Sequence, residues 1–401
     1  MHSNTLTYVE KLMLLDTQMH LQFGKRIVNY ADCTGLSEEV FQKTGKLVSS
    51  QTFRRFFNLI KSKTLISAAT ANIMSVYCGY LHLDHLASRH AESDKKNTTQ
   101  FQEAQIYKTF FEVEVPRITK TELNKVYFDV INKMLKRVYD DKLLYDTLIP
   151  LVSENPSAHS YLFELFPFID GFGRGFEQGY SLYLRHKRDT EAQVFGNAML
   201  FLSAILRNDL PSGKMYYDQL STFDIELLQH PFVTARYIGT KILFHHITGN
   251  LAEKQHWITV LSDRMQGDVN RHGFQNFSIE FQLIVAEYLL LCESYDLVIA
   301  ILTPVYQNRE LISDDMDNGF WLTPIKIMLI KSFSYTNRHK EARALMALVG
   351  PLNWLVHDYF SIHFLDAQCK LASDPGESFT LKRRLNRLIL KTRFKYFAIP
   401  A

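Results

Sequence analysis

The sequence predicts an all-α protein: a small N-terminal helical domain followed by an α-solenoid of paired helices. Three observations predict it. Alternating apolar and polar residues, the mark of a half-buried strand, are nowhere sustained outside loops. Apolar residues instead recur three and four apart, in runs that open on Ser, Thr, Asp or Asn and close on Gly or Pro. Beyond Thr190 these runs come in pairs, roughly 40–45 residues from one pair to the next, a spacing typical of stacked helical repeats.

Bulk properties narrow the class. The chain has 401 residues, of which 46% are apolar, enough for two or three domains with real cores and too many for a disordered protein. A net charge of +3 is close to neutral for this length, so any nucleic-acid contact must come from a local patch. Two patches exist. Between Gly24 and Thr64 there are eight Lys and Arg against three acids, and from Gly376 onward seven against one. The remainder is net acidic. Cys33, Cys78, Cys292 and Cys369 are far apart and form no CxxC pair, so free thiols in a reducing compartment are expected. The first residues lack the pattern of a signal peptide, and no run reaches the ~18–20 apolar residues of a membrane helix. A cytoplasmic protein without membrane contact is the expectation.

The elements follow in order. Residues 1–23 read as a first helix with Tyr8, Leu12, Leu15 and Met19 on one face. Gly35 to Gly45 reads as a short helix closed by glycine, and Lys46-Leu47-Val48 as a turn. Residues 49–63 then form the stretch that the rest positions. Ser49 or Ser50 can cap it, and Phe53, Phe56, Phe57 and Ile60 make an apolar face at helical spacing. Ser50, Gln51, Thr52, Arg54, Arg55, Asn58, Lys61 and Lys63 are left for the outer face. Such a face suits a DNA groove. Arg can make two parallel hydrogen bonds to guanine, Gln can do so to adenine, and Lys meets phosphate. The alternative is an amphipathic helix whose basic face is merely solvated. A supporting helix from Ala68 to Tyr77, with Ile73, Met74 and Tyr77 inward and Gly79 at its end, completes a helix-turn-helix order.

From Leu36 to Tyr80 the chain also resembles an N-terminal helix-turn-helix module found on many bacterial proteins. Leu36, Ser37, Val40, Phe41, Thr44, Gly45, Ser49, Thr52, Phe53, Arg54, Arg55, Phe56, Thr70, Ile73, Met74, Tyr77, Gly79 and Tyr80 carry the likeness. It departs at Leu81-His82-Leu83, where the module usually has Trp. The resemblance implies double-stranded DNA as a partner and covers only about an eighth of the chain.

His82, Asp84 and His85 could hint at a metal, but no further ligands cluster nearby and a polar helix start is favoured. Residues 89–100 have almost no apolar content and read as a linker, giving a DNA-binding domain at 1–90, a linker at 91–100 and a repeat domain at 101–401. Helices are then expected at Phe101–Glu114, at Thr119–Val138 behind a Thr119/Glu122 capping box, and at Tyr145–Val152, Ser157–Phe166 and Phe176–His186. Paired helices should start near Thr190, Pro231, Asn276 and Phe320, with partners near Gly213, Ala252, Tyr295 and Arg338. Two pairs resemble tetratricopeptide repeats. Glu287–Pro304 has Tyr295, Ala300 and a closing Pro, and Ile327–Leu345 has Tyr335 and Ala342. Asp170-Gly171-Phe-Gly173-Arg-Gly175-Phe-Glu-Gln-Gly179 lacks the spacing and the preceding strand of a dinucleotide site, so close helix approach is the better reading. His245, His246 and His256 have no carboxylate at zinc spacing. The last helix, Phe379–Phe397, puts Leu381, Leu385, Leu388 and Ile389 on one side and a basic cluster on the other. A solvated capping helix is favoured there over a second nucleic-acid contact.

These readings add up to a DNA-binding transcriptional regulator whose repeat domain holds a peptide or protein in its groove, with homodimers possible. Bacterial regulators with this architecture supply the analogy. The alternative is an interaction scaffold without DNA binding. No catalytic constellation, cofactor motif or metal set is visible, so no enzyme, cofactor or metal is expected.

Overall fold

The structure, a computed structural model, describes residues 6–62, 64–112, 122–165, 167–267, 277–308 and 318–398. Helix makes up 77% of it, with no strand among the described residues, so the chain is all-α. It divides into two compact units, Met1–Gln102 and Glu103–Ala401, each with its own core.

The first unit begins with α1, Tyr8–Phe23, where Thr7 and Glu10 form a capping box and Leu12, Leu15 and Met19 are buried. Helix α2, Tyr30–Thr44, starts earlier than expected because Asn29 and Asp32 form a capping box of their own. Gly45 closes it in the left-handed region, φ 69°. Helix α3 is Ser50–Phe56, capped by the Ser49 hydroxyl. The expected helix over 49–63 is thus cut to two turns. Asn58 takes φ 55°, and the Asn58 and Leu59 amides donate back to the Arg55 and Arg54 carbonyls at 3.2 and 2.9 Å. That is a Schellman turn, which Asn tolerates and which ends a helix. Helix α4, Ala68–Tyr77, buries Met74 and Tyr77 as expected. Helix α5, Leu83–Glu112, runs through the segment read as a linker. A stretch with too few apolar residues for a core is helical here, and the two units divide within it, between Gln102 and Glu103.

The second unit opens with α6 (Glu122–Asp140), α7 (Lys142–Val152), α8 (Pro156–His159) and α9 (Gln178–His186). The proposed Thr119 cap lies outside the described residues. Then come the pairs: α10 and α11 (Thr190–Leu206, Leu210–Leu220), α12 and α13 (Pro231–Ile247, Leu251–Gly267), α14 and α15 (Phe277–Leu291, Tyr295–Gln307), and α16 and α17 (Asn318–Tyr335, His339–Met346). Helices α18 (His357–Leu371) and α19 (Pro375–Thr392) follow. Each first helix packs on its partner and on the first helix of the next pair, so α10, α12, α14, α16 and α18 form a continuous row.

One turn geometry recurs in all four pairs. Asn208, Gly249, Glu293 and Asn337, spaced 41, 44 and 44 residues apart, each adopt positive φ between 55° and 72°. The amide of the next residue reaches back to the carbonyl five before it, at 2.8–2.9 Å: Asp209 to Ala204, Asn250 to His245, Ser294 to Leu289, Arg338 to Phe333. The pairing read from spacing therefore has a shared local cause. One left-handed residue reverses the chain within two or three residues.

The glycine run from Gly171 to Gly179, which leads into α9, serves close packing. A Cβ on Gly173 would sit 1.8 Å from the Thr392 carbonyl oxygen, and one on Gly179 would sit 2.1 Å from the Tyr145 hydroxyl. Helix α19 starts at Pro375 rather than Phe379, because Asp374 caps it. It stops at Thr392, where Arg393 turns left-handed.

Candidate nucleic-acid interface

The N-terminal unit fixes α3 from both ends. The Ser37 hydroxyl donates to the Val48 carbonyl at 2.6 Å, holding the turn before α3 against α2. The Ser49 hydroxyl accepts from the Thr52 amide at 3.2 Å and lies 2.9 Å from the Thr52 hydroxyl, so Thr52 is folded back onto the cap. At the other end Phe53 is fully buried, Phe56 and Phe57 meet edge to face at 5.0 Å, and Phe57 lies 5.1 Å from the ring of His20 on α1. Helix α4 is tied to α2 by the Tyr77 hydroxyl, which donates to Glu39 at 2.7 Å. That bond and burial together push the Tyr77 phenol well above its ordinary value, burial being the larger cause.

The outer residues divide into two groups. Gln51, Arg55, Asn58 and Lys61 are exposed, whereas Ser50, Thr52 and Arg54 are half-buried, and Lys63 lies outside the described residues. Arg54 is not presented freely. Its guanidinium lies 4.0 Å over the Tyr30 ring of α2, and its Nε is buried without a hydrogen-bond partner. Arg55 makes no ion pair among the described residues. Asn58 and Lys61 follow the helix rather than extending it, because of the turn at Asn58.

No family model, curated protein or solved structure matches this chain. What the site can do therefore rests on its own geometry.

Arg55 and Asn58 also line a groove of about 780 Å³ within this unit, together with Met13, Asp16, His20 and Arg26. Burial raises the Asp16 carboxyl, with His20 and Arg26 opposing it. Neither the groove nor the Tyr30 stack was legible beforehand. Both join residues distant in sequence, and only the count of cations around Lys25 and Arg26 pointed to this region.

The remaining singled-out residues have structural partners. The His82 and His85 rings accept from the His85 and Leu81 amides at 3.2 and 3.1 Å, and Asp84 pairs with Lys11 at 2.5 Å, so this trio caps the start of α5. His245 meets the Tyr217 hydroxyl at 2.9 Å, and burial lowers its pKa. No group of three or more His, Cys, Asp or Glu is placed to hold a metal among the described residues. Likewise no described helix is long and apolar enough to cross a membrane.

In the glycine run, Asp170 is buried, and its two oxygens accept the Asp358 and Tyr359 amides at the start of α18, at 2.7 and 2.8 Å. Burial, with Asp358 nearby, outweighs those bonds and pushes its carboxyl up to about 7. Lys241 is buried among the rings of Tyr217, Tyr237 and Trp257, with Nζ 2.5 Å from the Ser221 hydroxyl. Burial lowers its pKa to about 8.

Proposed function

We propose that the N-terminal unit binds double-stranded DNA through α3 and the turn after it, and that the helix pairs of the second unit dock a peptide or protein, which makes the chain a transcriptional regulator. The observation that carries the reading is the outward set Gln51, Arg55, Asn58 and Lys61, borne on a short helix and the turn after it, pinned by Phe53, Phe56 and Phe57 and free of carboxylate partners among the described residues. Arg55 offers a planar pair of donors to guanine or phosphate, Gln51 suits adenine, and Lys61 suits phosphate. The order of α2, turn, α3 and supporting α4 agrees with the helix-turn-helix reading. The row of stacked first helices supports a repeat domain, whose long surfaces suit extended peptides.

Selection of bound sequences from a random duplex pool, with the whole chain, tests the reading. An enriched motif is expected. Arg55→Ala should cost about 1–3 kcal/mol on that motif and relax one base position, if Arg55 reads a base. If it meets phosphate, binding should weaken alike on all sequences and the salt slope should fall by about one. An Arg54→Ala/Arg55→Ala protein that stays folded and keeps wild-type affinity for every duplex would remove α3 as the reader.

The scaffold reading has its own support in the two-turn length of α3 and the engagement of Arg54 with Tyr30. It is favoured if the wild-type chain enriches no sequence and shows no salt-dependent duplex binding. A palindromic motif would call for two copies of the chain.

A further inference from the structure

We infer that α19 is a second, sequence-independent contact for the phosphate backbone of duplex DNA. This extends the DNA reading above, and the test lets either fail alone. Helix α19 buries Leu381, Leu385 and Ile389. On the helical wheel Arg383, Arg384, Arg387 and Lys391 lie away from that face and Lys382 flanks it, and all five are exposed. From Ser378 to Ala401 the sequence has seven Lys and Arg and no Asp or Glu. Lys391 pairs with Asp358 at 2.6 Å, but Arg383, Arg384 and Arg387 make no ion pair or side-chain hydrogen bond among the described residues.

A merely solvated face is built differently elsewhere in this same chain. Lys108–Glu112, Lys136–Asp140, Lys142–Asp146 and Lys214–Asp218 each put an acid four residues after the lysine, on the same face. Helix α19 departs from that pattern twice. Its like charges stand at i, i+3 and i+4, where they repel, and three of them are arginine, whose planar fork holds phosphate oxygens in pairs. The cost of that repulsion is relieved by a polyanion. An anionic membrane fits less well. The apolar face of α19 is already in the core, and only Phe379 and Leu390, 71% and 78% exposed, point outward. They stand some 16 Å apart along the axis, too sparse for an interfacial helix.

The test uses the whole chain, a fluorescein-labelled duplex of about 30 base pairs and anisotropy across a potassium chloride series. Arg383→Gln/Arg384→Gln/Arg387→Gln should lower affinity at least tenfold at low salt, equally on any sequence. The slope of log affinity against log salt should become shallower by about 0.9 per lost contact, roughly 2–3 in all. The triple Arg→Lys protein should keep most of the slope. If the triple Gln protein melts lower, the three single variants each read a slope change of about one. An unchanged slope overturns the inference, as does unchanged duplex binding with lost binding to vesicles of about 30% phosphatidylserine. Loss on Arg55→Ala with no loss on the triple variant sinks this inference and leaves α3 as the reader. The converse keeps α19 and removes α3.

Discussion

Two sets of cations, one in each unit, are used in opposite ways. In the first, Arg55 and Lys61 stand in solvent without a carboxylate partner among the described residues, and Arg54 reaches only an aromatic ring. In the second, Arg236 is buried on α12 and meets Glu287 of α14 at 3.2 Å, both nearly inaccessible. Close approach makes this possible. A Cβ on Gly239, one turn from Arg236, would lie 2.5 Å from the Tyr288 ring beside Glu287. A cation in solvent incurs no desolvation cost and is available to a ligand. A cation in the core is committed to the fold, because removing its partner strands a charge. Substitutions at Arg236 and Glu287 should therefore act on stability, and those on α3 on binding.

The largest effect is expected at Gly173. Its absent Cβ would fall 1.8 Å from a backbone oxygen of α19, which cannot move aside as a side-chain tip can. Gly173→Ala should cost about 5 kcal/mol or prevent folding. Gly45→Ala, with positive φ but open space, should cost only about 1 kcal/mol. Urea unfolding of both separates overlap from backbone strain, and equal losses would refute the packing role of the glycine run.

Next comes the ion pair. Arg236→Met leaves Glu287 buried and unpaired, for about 3–5 kcal/mol, whereas Arg236→Met/Glu287→Leu should recover most of that. Burial already raises the Glu287 carboxyl, with Arg236 opposing the shift, so the stranded acid should take up a proton and the single variant should be more stable in mild acid. If the double variant is no better than the single one, the pair is more than a paired desolvation.

Asp170 sharpens the contrast through pH. Its value near 7 in the fold lies above the ordinary carboxylate value of about 3.9 in an unfolded chain. The folded protein holds a proton that the unfolded chain releases. The stability this contributes is full below about pH 4 and is lost as pH rises through about 7, amounting to roughly 2–4 kcal/mol. Asp170→Asn should be somewhat less stable at pH 4, since Asn accepts only through one oxygen, and should lose the slope between. A wild-type profile that rises from pH 5 to pH 8 would show that the two α18 amides outweigh burial.

Much of this was legible in sequence, and the gaps have physical causes. The starts of α10 and α12 fall at Thr190 and Pro231 because the Asp189 cap and a helix-start proline are local signals. The end of α3 was missed because Phe57, Ile60 and Lys61 continue helical periodicity past Asn58. The left-handed turn there depends on phenylalanines that pack against α1. Arg54 and Arg55 are identical neighbours in sequence, yet Arg54 is half-buried and stacks on Tyr30, more than twenty residues earlier, while Arg55 is exposed. Helix α5 crosses an apolar-poor segment, where periodicity has nothing to report.

The smallest effect tests the shared turn of the helix pairs. Asn208, Gly249 and Asn337 are residue types that accept positive φ, whereas Glu293 holds φ 55° with a side chain that gains nothing there. Glu293→Asn should therefore stabilise the fold by roughly 0.5–1 kcal/mol, and Glu293→Gly by less, because glycine also frees the unfolded chain. The matching change at a turn that already suits its residue, Asn337→Glu, should cost a similar amount. Thermal melts of the three proteins decide it. Opposite shifts at 293 and 337 would show one turn geometry at work in both pairs, while a destabilising Glu293→Asn would mean that Glu293 is held by a contact peculiar to its own pair.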